Sequence, residues 1–320
     1  MSRATPGTRL SLRQWWRGAN FSRLEIVGLT MLAVVLFLTV FGPMIAPYPT
    51  ESADSADRLL APSLAHPFGT DQHGLDVFSR VLAAPRTDVL IAVVATALSA
   101  VVGSGLGAIA GLFEGNSRRS KAWLSEGILR VLDVVQAFPV FIFAMVLVAV
   151  RGPGLVNIVI AAAFVNMPVF LRLVRGELLS LRERPFAEAA RVIGCTDLRI
   201  AFRHMLPNAL PPVMVQISVT VGFTILLTAG LSFVGAGIAP PTPELGNMIA
   251  TGASFMITGQ WWASMFPGLA LGLTVFAFGI GGETVGRLLQ PGGMARPATF
   301  EDAAVGTIAP ALTEPERRSE

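Results

Sequence analysis

Apolar residues in this chain fall into long blocks and not into alternation. Six runs qualify as membrane spans, at 26–47, 89–113, 128–150, 155–174, 210–234 and 262–286. A helix needs roughly 20 apolar residues to cross a hydrocarbon core of about 30 Å. That core holds no water, so each segment must satisfy its own backbone N–H and C=O groups, and each run predicts a helix. The run at 128–150 is the least clean, with Arg130 and Asp133 near its start. The pattern predicts an all-α membrane protein with six transmembrane helices. The intervening blocks differ in character. Residues 48–88 are rich in turn formers, 175–208 are charged, and 291–320 mix Pro, Ala, Glu and Arg without apolar periodicity, which predicts disorder. The expected organisation is a tail at 1–24, a first helix with an external segment at 25–88, a five-helix core at 89–290 that includes the 175–208 loop, and a tail at 291–320. No internal repeat is visible.

Composition agrees with this reading. The chain is 52% hydrophobic and 14% charged, where a soluble domain carries about 25% charged residues. The charge distribution adds a direction. Of the 24 lysines and arginines, all but Arg58, Arg80, Arg86 and Arg151 lie in the N-terminal tail, at 118–130, in the 172–203 region or after the last span. Basic residues concentrate on the cytoplasmic side of membrane proteins, so both termini are expected in the cytoplasm. Trp261 and Trp262 stand where an outer aromatic belt is expected. The basic pI of about 9.9 is thus a matter of topology, and no nucleic-acid partner is implied. No secretory signal peptide is visible, because the first run is long and lacks a small-residue cleavage pattern after it. Cys195 is the single cysteine. That excludes a disulfide framework, and with no activating base evident the thiol reads as inert.

The 175–208 loop reads as two short helices joined at a glycine. Pro185 suits a first helical turn. Phe186, Ala189, Ala190 and Ile193 recur at i, i+3, i+4 and i+7, which makes one apolar stripe. Glu188 lies near the positive N-terminal end of that helix. Gly194 is a natural residue to end it, and Thr196 is a natural N-cap for the next. The second helix is expected to stop at Pro207. One reading is a solvated connector. The other is a docking surface for a cytoplasmic partner, which the small residues Ala189, Ala190 and Gly194 would let approach closely.

The ordered series Glu188-Ala189-Ala190, Gly194 and Leu206-Pro207 resembles the EAA loop of ABC importer permeases. The full stretch FAEAARVIGCTDLRIAFRHMLPNALPP at 186–212 is similar to the version found in dipeptide, oligopeptide and nickel permeases. Two further stretches resemble the same subfamily. One is HPFGTDQHGLDVFSR at 66–80. The other is LSFVGAGI at 231–238, followed by Pro240, Pro241, Thr242, Pro243 and Gly246-Asn247-Met248. The likeness covers about 21–291, and the single early span with the HPFGTDQHGLD segment points to the second of the two permeases. Cys195, His73 and Leu75 depart from the usual choices.

The resemblance implies the type I ABC importer transmembrane fold, in the bacterial inner membrane. It implies a homologous second permease, two cytoplasmic ABC ATPases and an extracytoplasmic solute-binding protein as partners, besides the lipid bilayer. ATP and Mg would be bound by the ATPases, with no cofactor in this chain. Phe186, Glu188, Ala189, Ala190, Arg191, Gly194, Leu206 and Pro207 would form the ATPase-coupling segment. Gly235, Gly237, Pro240, Pro241 and Pro243 would form an outer loop or gate. The solute would be a di- or oligopeptide, with nickel or another small solute as the alternative.

Other constellations were weighed. His66 and His73 with Asp71 and Asp76 suggest a metal site, but Gly69, Thr70, Asp71 and Gly74 are turn chemistry and Asp76 suits a helix start, so no metal site is expected. Asp133, Glu283 and Arg287 are ionisable groups near span ends; Glu283 and Arg287 are spaced to pair. Gly103-Ser104-Gly105-Leu106-Gly107 spells a nucleophile elbow by letters but lies mid-span, where small residues let helices pack. No catalytic residue is expected. There is no phosphate-binding loop and no H-E-x-x-H. A secondary carrier would usually need charged groups or broken helices at the midplane, and here charges keep to the edges. An intramembrane protease would need a nucleophile and base at depth, and His66, His73 and His204 lie outside the spans.

Overall fold

The computed structural model describes residues 22–52, 57–114 and 119–288. The expectations for most of the 1–24 tail and for the 291–320 tail fall outside the described residues. The long helices are α1 (Arg23–Ile45), α2 (Val77–Phe113), α3 (Arg119–Ala137), α4 (Val140–Arg151) and α5 (Leu155–Arg182). Short helices α6 (Pro185–Val192) and α7 (Asp197–Ile200) follow. One turn of π-helix, Ala201–Met205, then leads into α8 (Leu206–Phe233). Next come α9 (Leu245–Ala253), α10 (Trp262–Phe276), a second π turn at Ala277–Gly281, and α11 (Gly282–Leu288). Five continuous helical stretches among the described residues are long and apolar enough to cross a membrane: Arg23–Ile45, Val77–Phe113, Leu155–Arg182, Asp197–Phe233 and Trp262–Leu288.

The expected span at 128–150 takes another form. It is divided between α3 and α4, which meet at Phe138 and Pro139. Proline lacks an N–H donor and pushes the preceding residue out of the helical region, so the helix must restart. The 12 residues of α4 reach about 18 Å, short of a full crossing.

Two boundaries also moved. α2 begins at Val77, twelve positions before the expected start of the apolar run at 89, because Asp76 caps it. The Asp76 carboxylate accepts from the Ser79 amide at 2.7 Å. The helix start read at Asp76 is thus the start of this same helix, and the charged Arg80, Arg86 and Asp88 lie within it. The helix expected to stop at Pro207 continues instead to Phe233. Proline clashes with the carbonyl one turn back. The wide π turn at 201–205 precedes Pro207, which then occupies the first turn of α8, where no N–H is needed.

Packing follows small residues. Gly103, Gly107 and Gly111 stand one turn apart on α2. A methyl group at these positions would run into the carbonyl oxygens of Met167, Leu171 and Arg175 on α5. Backbones that close exchange dispersion contacts that lipid cannot match. At the other side of the bundle, Gly28 of α1 lies against Ile280 and Gly281. Glu25, in a capping box with Ser22, forms an ion pair with Arg287. Arg287 thus pairs with the first helix, not with Glu283 one turn away as its spacing had suggested.

Candidate functional site

At one end of the bundle, α6 lies on the ends of α5 and α8. Ala187 and Ala190 face inward and join a core cluster with Leu178, Ile200 and Met205. The stripe read from the sequence is therefore split. Ala190 turns in, while Phe186 (38% exposed), Ala189 and Ile193 (79%) face out, with Val192 (82%) beside them. Glu188 is exposed on the same helix, which also carries Arg191. The helix is stopped by Gly194 at φ +82°. The Cys195 amide donates back to the Ala190 carbonyl at 3.1 Å, the six-to-one bond of a Schellman ending. Thr196 takes the N-cap position of α7 without a side-chain cap bond. Leu206 packs against the same cluster and Pro207 is exposed. The fold thus gathers the expected coupling segment into one hairpin that presents large apolar side chains to solvent.

A charged cluster that the sequence did not single out supports this end. Glu114, directly after α2, takes a two-pronged bond from Arg175 Nε and Nη2, both 2.7 Å. Its carbonyl accepts from Arg182 Nη1 at 2.6 Å. The signal was a lone acid closing an apolar run, with two arginines seven apart on one later helix.

At the opposite end, α8 closes with the same device. Gly235 has φ +88°, and the Ala236 amide bonds to the Leu231 carbonyl at 2.9 Å. Gly235, Pro240 and Pro241 are exposed, while Gly237 and Pro243 are buried. The Pro240–Pro241 peptide is cis. Three positions on is Glu244, only 2% exposed, whose carboxylate accepts from the Gly246 amide at 3.0 Å and the Asn247 amide at 2.8 Å. Asp88 of α2, 3% exposed, accepts from the Leu245 amide at 3.3 Å. Two buried carboxyl groups thus satisfy the free N–H groups of the first turn of α9. Burial pushes the Glu244 carboxyl above its ordinary value, and the Asn247 and Gly246 amides offset part of that. Sequence reading missed both acids, because Asp88 looked like the charged edge of a span.

The residues weighed as a metal site are engaged otherwise. His66 Nδ1 bonds Asp76 Oδ1 at 2.9 Å, and the other oxygen of Asp76 caps α2. Asp71 accepts from the His73 and Leu75 amides. Among the described residues no group of three metal-ligating side chains forms. Asp133 and Glu283 are exposed.

An all-helical membrane bundle that offers an exposed helical hairpin at one end and a capped, acid-lined loop at the other is the form of a transport permease. Comparison with known proteins agrees. Residues 103–292 match the family described as binding-protein-dependent transport system inner membrane component. Residues 12–62 match the N-terminal TM domain of oligopeptide transport permease C. The chain is 35% identical over 84% of its length to the probable D,D-dipeptide transport system permease protein DdpC of Escherichia coli (strain K12), covering 88% of that protein. It is 35% identical to the dipeptide transport system permease protein DppC of Alkalihalophilus pseudofirmus, over 87% of this chain and 89% of that one. It is 37% identical to the glutathione transport system permease protein GsiD of Escherichia coli O157:H7, over 88% and 91%. Among solved structures, an inward-facing form of the MetNI methionine ABC transporter matches with a TM-score of 0.53 at 19% identity, over 64% of this chain and 94% of that one. That likeness concerns the fold, the type I importer arrangement.

This chain belongs to the binding-protein-dependent transport system inner membrane component family, and these relatives, 35–37% identical to it, are named as D,D-dipeptide, dipeptide and glutathione transport permeases. It is a multi-pass inner-membrane permease subunit of an ABC importer, not an enzyme; ATP hydrolysis belongs to separate ATPase subunits. Such a permease works with an ATPase and a substrate-binding protein.

Proposed function

We propose that this chain forms half of the path by which an ATP-driven importer carries di- or oligopeptides into the cell, and that α6 is the part the ATPase holds. Its relatives are named for dipeptide, D,D-dipeptide and glutathione transport, and peptide is the class these names share. In this reading a homologous second permease completes the path. Two ATPases bind ATP and Mg on the cytoplasmic side, and a binding protein delivers solute to the 235–243 loop. Both termini are cytoplasmic, and the third of six crossings is shared by α3 and α4.

The observation that carries the docking role is the outward set Phe186, Val192 and Ile193. Apolar side chains on a hairpin outside the spans are stable there only with a partner that removes them from water. Glu188 adds a carboxylate that can pair across the same interface. Removing one member of a desolvated charge pair costs about 2–5 kcal/mol, so even the low end weakens docking more than about tenfold. Gly194→Val acts by another route, since a β-branched residue at φ +82° is strained. Glu188→Ala and Gly194→Val both lie outside the spans and leave membrane insertion intact. The test is peptide uptake together with co-purification of the ATPase. Full transport and full ATPase retention in both variants would refute the docking role.

A further inference from the structure

The two ends of the α6–α7 hairpin are attached to the bundle in different ways. On the N-terminal side the link to α5 is short and bonded. Only Glu183 and Arg184 separate the helices; the Arg184 amide bonds the Leu181 carbonyl, and the Ala187 amide bonds the Arg184 carbonyl at 3.0 Å. α5 is in turn locked to α2. The Gly103, Gly107 and Gly111 contacts bring the two backbones together over two turns. Phe170, Val174 and Leu178 are fully buried along the seam. At its cytoplasmic end Glu114 is gripped by Arg175 and Arg182. A forked guanidinium–carboxylate bond fixes direction as well as distance, so α2 cannot slide or turn against α5 without breaking it.

The C-terminal side is built differently. α7 enters α8 through the π turn at Ala201–Met205, and Pro207, Pro211 and Pro212 follow within the next seven residues. Pro211 and Pro212, inside α8, each remove a backbone donor from the helical ladder, and π turns inside helices recur where helices work.

We propose that the hairpin moves α2 and α5 as one body, with Glu114 as the pin between them. Glu114, Arg175 and Arg182 are then positioning residues for transport. They touch neither solute nor ATPase, and they decide how much of the ATPase stroke reaches span two. The inference rests on α6 being the docking helix, and its test separates the two ideas.

The assembled importer, with its ATPase and binding protein, is reconstituted in proteoliposomes, and peptide moved per ATP hydrolysed is measured. Glu114→Gln and Arg175→Glu are expected to keep the ATPase bound and hydrolysing while peptide moved per ATP drops about tenfold. The reversed pair Glu114→Arg with Arg175→Glu is expected to restore most of the ratio. A merely structural bridge would change yield or melting and leave the ratio alone. An unchanged ratio in both single variants overturns the proposal. So does a lowered ratio that the reversed pair leaves unrepaired. Loss of the ATPase from these variants, when Glu188→Ala retains it, would put the docking surface at the cluster itself and overturns both this inference and the docking role of α6. A second measurement needs no change at the cluster. Spin labels at the exposed positions Val101 on α2 and Val169 on α5 should keep one separation through the ATP cycle. A changing Val101–Val169 distance refutes the one-body claim.

Discussion

Glu244 is the residue whose ionisation the fold most clearly constrains. Its carboxyl is buried against α9, and no lysine or arginine occurs on α8, α9 or α10, the helices around it. The nearest acid in its contacts, Asp88, is of like charge. Because burial raises the Glu244 value above 4.5, the folded form holds the proton more tightly than an open form does. The linked stability is fully present below pH 4.5 and is lost as pH rises through the raised value. The expected outcome is that hydrogen-exchange protection of the α9 amides, corrected for intrinsic rates, declines as pH rises above that point. In Glu244→Gln the decline should be smaller, with Asp88 the one acid left at that contact. A flat wild-type profile would show that ionisation does not reach the α9 contact. Gly194 illustrates what a sequence makes visible at this scale, since a glycine four residues after an apolar alanine pair announces a helix end. Glu114 and Asp88 were not visible. Their partners lie 61 and 157 residues away, and only the folded chain brings them together.

Among elements, the α2–α5 seam carries the sharpest expectation. Gly107→Val places a branched side chain against the backbone of Leu171. Overpacking of this kind costs about 1–3 kcal/mol, and here the obstacle is backbone, which yields less than a side chain. The variant should melt at lower temperature in detergent. Gly105→Val, where a Cβ meets open space, should behave like the wild type. Equal melting of the two would remove the seam as a stabilising contact. The glycine spacing was readable in advance as a packing face, because small residues one turn apart have few other uses inside a membrane helix. The split of 128–150 was harder to read. An unbroken apolar run at Val140–Arg151 masked Pro139, and hydropathy does not register a missing N–H. Pro207 is the opposite case, a proline read as a helix stop that in fact sits in the first turn of α8. The stripe on α6 was half right because Ala187 and Ala190 are also apolar, and a pattern of apolar letters cannot say which of two adjacent apolar faces turns inward.

For the whole molecule, the basic side of the chain sets the expected topology. Reporter fusions after Arg182 should read cytoplasmic and fusions after Arg58 and Glu244 external. A cytoplasmic reading at Glu244 would invert or break the six-crossing arrangement. Fold class and family were largely legible before the structure, since lipid imposes run length and the 186–212 series is dense in constrained residues. The particular attachment of the bundle's ends was not, because it depends on contacts between the first helix and the last.

That attachment imposes an order on biosynthesis. α1 reaches the membrane first, yet the arginine that pairs with Glu25 is 262 positions further on. Gly281, against which Gly28 packs, is likewise about 250 positions further on. At a synthesis rate of ~5–20 residues per second, the first helix waits on the order of tens of seconds, lipid-facing along one side, before its partner emerges. The bundle therefore closes like a bracelet whose clasp is made last. A chain cut short before residue 277 would keep nearly every span and the packing of α1 on α2 at Gly42 and Leu82, yet leave the Glu25 carboxylate without Arg287 to meet it.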